Sequence, residues 1–234
     1  MSKRFYKEVT VEMVDATWRV SLDGRAVKTP TKATLSVNSK TIAQIIAIEW
    51  DAQTEEIDPL TMPVTRLVGV AAERAGTRDE LIEEFKAYAS TDLLSYLRDA
   101  PDDFVARQTK LFGTWLDWAA ENGVPLRTTM GILAIEQNPK TILRMGHHAS
   151  EYSDLALTFL VHMTATFGSA MLALAVMQGA LEAGEAYDIS RMDEAYRAEI
   201  WGADENAEAR AAAIRAEVVA MSAILPELDV PKLS

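Results

Sequence analysis

The sequence predicts an α+β protein: a small N-terminal antiparallel sheet domain with a covering helix, residues 1–75, followed by a larger all-helical C-terminal domain, residues 76–234. Three observations lead there. Apolar and polar residues alternate with a period of two near the start, as half-buried strands require. From residue 38 the apolar spacing lengthens to three and four, as helices require. A chain of 234 residues, 49% of them hydrophobic, can bury one large core or two modest ones without disulfides.

The elements follow in order. VTVEMV, residues 9–14, is a strand, and in TWRVSLDGRAVKTP the residues Trp18, Val20 and Leu22 alternate with polar neighbours. Asp23-Gly24 supplies a compact turn, Val27 continues the return strand, and ATLSV at 33–37 adds another. Asn38 or Ser39 caps a helix bearing Ile42, Ile45, Ile46, Ile48 and Trp50, with Glu49 directed outward; this helix covers one face of the sheet. DPLTMP breaks it, and a helical pattern from Val64 to Arg74 stops at Gly76.

Beyond that boundary every pattern is helical. Thr77 with Glu80 forms a capping box ahead of Leu81, Ile82, Phe85 and Tyr88. Asp99-Ala100-Pro101 opens a helix through Phe104, Leu111, Trp115 and Trp118, which Gly123 and Pro125 close; Asn138-Pro139 opens another. Ser190 with Asp193 repeats the capping-box spacing, so residues 190–201 read as one helix, with Gly202 as its stop and Asp204 as the cap of the next. Leu155–Leu181 contains no Asp, Glu, Lys or Arg. A membrane span would bury His162, Thr164, Thr166 and Ser169 near its middle, at the costliest depth. Two buried helices meeting at Gly168-Ser169 account for the same composition, and no stable membrane insertion is expected.

The chemistry such a chain can host is narrow. With no cysteine there is no thiolate nucleophile, iron–sulfur ligation or cysteine–zinc site. A net charge of -12 repels phosphate backbones, so nucleic acid is not an expected partner. The acid is concentrated late: residues 1–50 carry eight Lys/Arg against five Asp/Glu, and residues 181–234 carry five against twelve. The phosphate-binding glycine motifs are missing, and Ser169 lacks a nucleophile elbow. His147, His148 and Glu151 could form part of a metal-dependent or acid/base enzyme site, but a zinc site needs a third ligand and only His162 remains. The more ordinary reading makes His147 and His148 helix-surface groups and His162 a hydrogen-bonded core residue. Asp193, Glu194, Glu199, Asp204 and Glu205 sit where helix starts collect acids. Glu194 and Glu199, five residues apart, are about 140° apart around a helix and do not form a compact pair.

Several blocks in sequence order then carry a resemblance: RFYKEV at Arg4, LDGRAVKTP at Leu22, IAIEWDAQTEEIDPLTMPVTRL at Ile46, STDLLSY at Ser90, GSAMLALAV at Gly168 and DEAYRAEIWGADE at Asp193. Together the chain resembles the assembly chaperones for the F1 sector of ATP synthase, of the type acting on the alpha subunit. Asn38 and Arg197 depart from the family's usual proline and glutamine. The resemblance implies a two-domain protein that binds unassembled alpha subunit at its beta-facing surface and prevents aggregation, without turnover or cofactor. It also implies an important glutamate in the C-terminal helices, with Glu194 and Glu199 the candidates; Trp201, Asp204 and Glu205 lie beside them. Trp50 and Trp201 each end a patterned helix, where the ordinary role is packing within a domain and the other is anchoring a partner. Arg25 is either a solvated strand end or the basic side of an interdomain contact. The opening lacks a transit-like leader, so the bacterial cytoplasm is the expected compartment, with the mitochondrial matrix for organellar relatives. Self-association is left open.

Overall fold

The computed structural model describes residues 2–74, 76–131 and 133–233; Ala75, at the expected boundary, lies outside them. The chain forms two compact units. One runs up to Thr77 and regains Ala220–Leu228; the other comprises Arg78–Val219 and the residues from Asp229 on.

The first unit is built on an antiparallel sheet. Strands β1 (Ser2–Lys3), β2 (Val9–Val14) and β3 (Thr17–Leu22) come first. Across the β2–β3 ladder Val9 faces Leu22, Val11 faces Val20 and Met13 faces Trp18, so the alternation read from the sequence fixes the register. Asp15 and Ala16 turn that hairpin at φ of 50° and 63°, and Asp23-Gly24 turns the next at 48° and 75°. These are the left-handed values that match a tight turn to the twist of its strands. Strands β4 (Arg25–Ala26) and β5 (Ser36–Val37) take the two ends of the other edge of β3.

Helix α1 (Lys40–Asp51) lies over β2 and β3 and buries Ile42, Ala43 and Ile46. Its cap is Ser39, whose hydroxyl accepts from the Ile42 amide. Strand β6 (Glu56–Ile57) pairs with β1, and a 3₁₀ turn at Pro59–Thr61 leads into α2 (Pro63–Glu73). That helix has no side-chain cap of its own. Glu49 supplies one from α1. Its carboxylate accepts from the Val64 amide at 2.8 Å, the Thr65 amide at 2.7 Å and the Thr65 hydroxyl at 2.6 Å. The outward orientation expected for Glu49 is therefore corrected: an anion at two free helix-start amides is favoured over one in water.

The second unit is a helical assembly: α3 (Arg78–Ser90), α4 (Asp102–Glu121), α5 (Pro139–Ser150), α6 (Asp154–Phe167), α7 (Ala170–Met177), α8 (Ala183–Ser190), α9 (Met192–Trp201) and α10 (Glu205–Ser222). A two-residue parallel pair, β7 (Tyr96–Leu97) with β8 (Thr129–Met130), is its only extended pairing among the described residues. The expected fold class, a small antiparallel sheet with a covering helix followed by a larger helical part, holds. Helix α10 belongs to the second unit up to Val219, and its last turn belongs to the first.

The uncharged run resolves into α6 and α7. Gly168 stops α6 at φ 64°, and the Ser169 hydroxyl caps α7 by accepting from the Leu172 amide at 3.0 Å. No helix among the described residues is long and apolar enough to cross a membrane. Asp92, fully buried just before the 3₁₀ turn Leu93–Ser95, holds this corner. It accepts from the Leu94 amide at 3.0 Å, the Ser169 hydroxyl at 2.8 Å and the Met171 amide at 2.9 Å. Burial raises its carboxyl to about 6, against the opposing pull of those hydrogen bonds. The blocks STDLLSY and GSAMLALAV thus meet in space through one carboxylate.

One helix boundary also moves. Ser190 does not cap the helix of residues 190–201. It is the last residue of α8, and its hydroxyl donates to the Tyr187 carbonyl at 2.7 Å. Helix α9 starts at Met192 after Arg191. The sequence spacing of a capping box was satisfied, but the serine was already committed to the preceding helix.

Candidate functional site

The acidic C-terminal segment takes its shape from α4. Phe104 of α4 packs with Met192 and Tyr196 of α9 in one buried cluster, and the Phe104 and Tyr196 rings meet edge-on at 4.9 Å. The Tyr196 hydroxyl donates to Asp103 at 2.8 Å, which satisfies the polar tip of a ring whose body is buried. Burial, then that hydrogen bond, pushes the Tyr196 phenol up. Two interhelical or loop-to-helix ion pairs flank the cluster. Arg98 donates to Asp193 at 2.7 Å, and Arg107 donates to both oxygens of Glu199, at 2.9 and 2.8 Å. The hydrogen bond of Arg107 Nη1, shared between the two carboxylate oxygens, and the carboxylate's charge raise the guanidinium above its ordinary value.

The two candidate glutamates therefore occupy different environments. Glu199 turns to α4, where both its oxygens accept from Nη1 of Arg107, while Glu194 accepts from Arg191 of the preceding turn at 3.1 Å. Asp193 is shared between Arg98 and, at 2.5 Å, Arg197. At the end of α9 the packing stops. Ile200 is 52% exposed and Trp201 76% exposed, so Trp201 does not take the packing role that is ordinary for a tryptophan at a helix end. Gly202, at φ 89°, turns the chain, its amide donating to the Ala198 carbonyl. The Asp204 carboxylate then caps α10 by accepting from the Asn206 and Ala207 amides at 2.8 and 3.1 Å, and Glu205 is an exposed residue of that first turn.

The other two candidates belong to the first unit. Trp50 ends α1 half-buried, its ring edge-on to Tyr6 at 5.7 Å and its carbonyl accepting from the Tyr6 hydroxyl at 2.6 Å. These contacts pack it within its own unit and leave part of it exposed. Arg25 is exposed in β4.

His148 and His162 exchange the places expected for them, while His147 keeps its own. His148 is buried, with its Nε2 3.1 Å from the Tyr152 hydroxyl, and burial lowers its pKa against the pull of Glu151. His147 is exposed, whereas His162 is half-exposed, 3.9 Å from Glu217. The reason is helical phase: His148 falls on the face of α5 that also buries Thr141, Met145 and Ala149. Gln178 completes this network by donating to the Tyr152 hydroxyl at 3.3 Å and to the Pro231 carbonyl at 2.8 Å, while accepting from the Leu233 amide. Among the described residues no three His, Cys, Asp or Glu side chains come together as a metal-binding group.

Sequence reasoning missed Arg107, Asp103 and Tyr196 as the supports of Glu199. The spacing of Phe104 and Leu111 placed this part of α4 in a helix, but nothing local says that α9 returns to it ninety residues later, as the Arg107–Glu199 separation of 92 shows.

Comparison with known proteins adds an independent line. The family model described as ATP12 chaperone protein matches residues 3–120. "Protein atp12, mitochondrial" of Schizosaccharomyces pombe is 24% identical over 223 residues, spanning 88% of this chain and 75% of that one. The crystal structure of Atp12 from Paracoccus denitrificans superposes with a TM-score of 0.89 at 36% identity, over 96% of this chain and 97% of the other. A crystal structure of a protein from Agrobacterium tumefaciens gives a TM-score of 0.90 at 36% identity, over 96% and 85% of the two chains.

Proposed function

The chain belongs to the ATP12 chaperone family and is a chaperone, and from that premise we propose that its client is the unassembled alpha subunit of the F1 sector of ATP synthase. The chaperone covers the surface that the beta subunit later takes, keeps the client from self-association and yields it during assembly. A ring subunit without its neighbour exposes an interface more apolar than ordinary surface, and a reversible cover lowers the chance of aggregation. In bacteria the client is made in the cytoplasm, and this chaperone is expected there.

The observation that carries the residue-level reading is the end of α9, where exposed Ile200 and Trp201 follow directly on the clamped Glu199. Tryptophan is prominent among residues that dominate interfaces, and a carboxylate fixed by its own arginine is pre-organised beside it. Glu199 and Trp201 are the proposed centre of the client contact, with Glu194, Asp204 and Glu205 at its rim. Trp50 and Arg25 are proposed as further contacts on the first unit. Co-expression with tagged alpha subunit tests the proposal: soluble alpha rises and carries the chaperone with it. An unchanged yield of soluble alpha and no co-purification would refute it.

A further inference from the structure

Beside Glu199, α4 and α9 leave an open groove of about 350 Å³ within the second unit. Its floor is apolar, made by Leu111, Met192, Ala195 and the ring of Tyr196. Met192 and Tyr196 are largely buried as part of the Phe104 cluster, so the floor cannot collapse without undoing α4–α9 packing. Leu111 is 36% exposed and Ala195 is exposed, so the floor is open to an incoming side chain. The volume falls near the lower end of ligand-sized clefts, which span roughly 300–1,000 Å³. It suits one large apolar side chain and the backbone beside it.

The rim selects what comes with that side chain. Arg107 is committed to Glu199 through two hydrogen bonds. Asp188 is committed to Arg215, which donates from Nε at 2.8 Å and from Nη2 at 2.9 Å. Lys110 is exposed and is the one charged rim group without a side-chain partner among the described residues. Although the chain is acidic as a whole, this groove offers a single unspent positive charge over an apolar floor.

We propose that the groove between α4 and α9 docks a client segment that places a large apolar side chain on Leu111, Met192, Ala195 and Tyr196 and an adjacent carboxylate on Lys110. The proposal rests on the alpha-subunit reading above and gives its contact a chemistry. An apolar–acidic segment gains both floor burial and an ion pair. An apolar–basic segment meets Lys110 as a like charge, an arrangement that suppresses wrong partners. Glu199 then acts as a positioning residue for the groove wall, by holding Arg107 against it.

The test uses the full-length chaperone, alpha subunit, and a set of peptides tiling the beta-facing surface of alpha. Three variants are compared with wild type: Lys110→Glu, Lys110→Arg and Ala195→Trp, the last placing a ring in the groove from an exposed position. Circular dichroism melts check that each variant folds. Lys110→Glu and Ala195→Trp are expected to weaken alpha binding by about tenfold or more, with Lys110→Arg near wild type. Wild-type binding is expected only for peptides carrying a large apolar residue next to Asp or Glu, and is lost when that acid becomes Lys. If wild type holds alpha and neither Lys110→Glu nor Ala195→Trp weakens it, the groove proposal falls and the alpha-subunit reading stands. If basic peptides bind in preference to acidic ones, the proposed chemistry is wrong. If wild type fails to hold alpha at all, both readings fall together.

Discussion

Asp92→Asn separates the charge of the buried carboxylate from its shape. In the wild type the folded protein holds the Asp92 proton more tightly than the unfolded chain does, because burial raises the carboxyl from 3.8 to about 6. A raised folded pKa contributes stability that is present in full below the unfolded value and is lost as pH rises through the folded one. At about 1.4 kcal/mol per pH unit, the displacement from 3.8 to about 6 corresponds to roughly 3 kcal/mol. The asparagine cannot titrate. Its amide NH₂ would also point a donor at the Met171 N–H, which now donates to Asp92 at 2.9 Å, a mismatch costing about 1–3 kcal/mol at every pH. Urea unfolding followed by far-ultraviolet circular dichroism, run at several pH values between 4 and 7.5 on both proteins, isolates the carboxylate. The stability of wild type relative to Asp92→Asn is expected to fall by roughly 2 kcal/mol from pH 4 to pH 7, the rest of the effect lying below pH 4, and most steeply between pH 4 and 6. Parallel curves for the two proteins across that range would refute the assignment of a raised pKa to this site.

Glu49→Ala removes the side-chain cap of α2 and frees three donors, so it is expected to destabilise the protein by about 2–4 kcal/mol, with Glu49→Gln intermediate; urea midpoints check it. Gly168→Ala meets no neighbouring atom within 4 Å but forces an alanine to φ 64°, so a loss of about 1–2 kcal/mol is expected from backbone strain alone, less for Gly168→Asn. Glu199→Lys and Trp201→Ser both alter exposed positions at the end of α9 and should leave the melting curve within a few degrees of wild type while reducing recovery of soluble alpha. A collapsed melt in either would instead assign that residue to folding.

What could be read from the sequence was what local pattern governs. The hairpin from Trp18 to Val27, the Ser39 cap, the Asn138-Pro139 helix start and the Gly168-Ser169 corner each declare themselves within a few residues. The failures share a different cause. Glu49 caps a helix that starts fourteen positions later, at Pro63, and Asp92 satisfies an amide seventy-nine residues away. Neither partnership leaves a spacing that a single sequence displays. Ser190 was misplaced because a capping-box spacing fits a helix start and a helix end equally well until the preceding helix is known. His148 and His162 were exchanged because α6 is apolar almost all round while only one face of α5 is buried, so helical phase and not average composition decides which histidine is covered. Of the candidate site, the acids and Trp201 could be named from the sequence, but the exposure of Trp201 could not, packing being its ordinary reading. The Arg107 clamp, and the groove it borders, depend on α9 returning to α4.

As proposed, the chaperone's client is the F1 alpha subunit, and its hold ends when beta arrives. The most direct measurement is size-exclusion chromatography with light scattering on purified chaperone and unassembled alpha, repeated after adding beta. A stable chaperone–alpha complex is expected without beta, and free chaperone with an alpha–beta species after its addition. Chaperone eluting alone from alpha in both runs, or a complex that persists unchanged in the presence of beta, would contradict it.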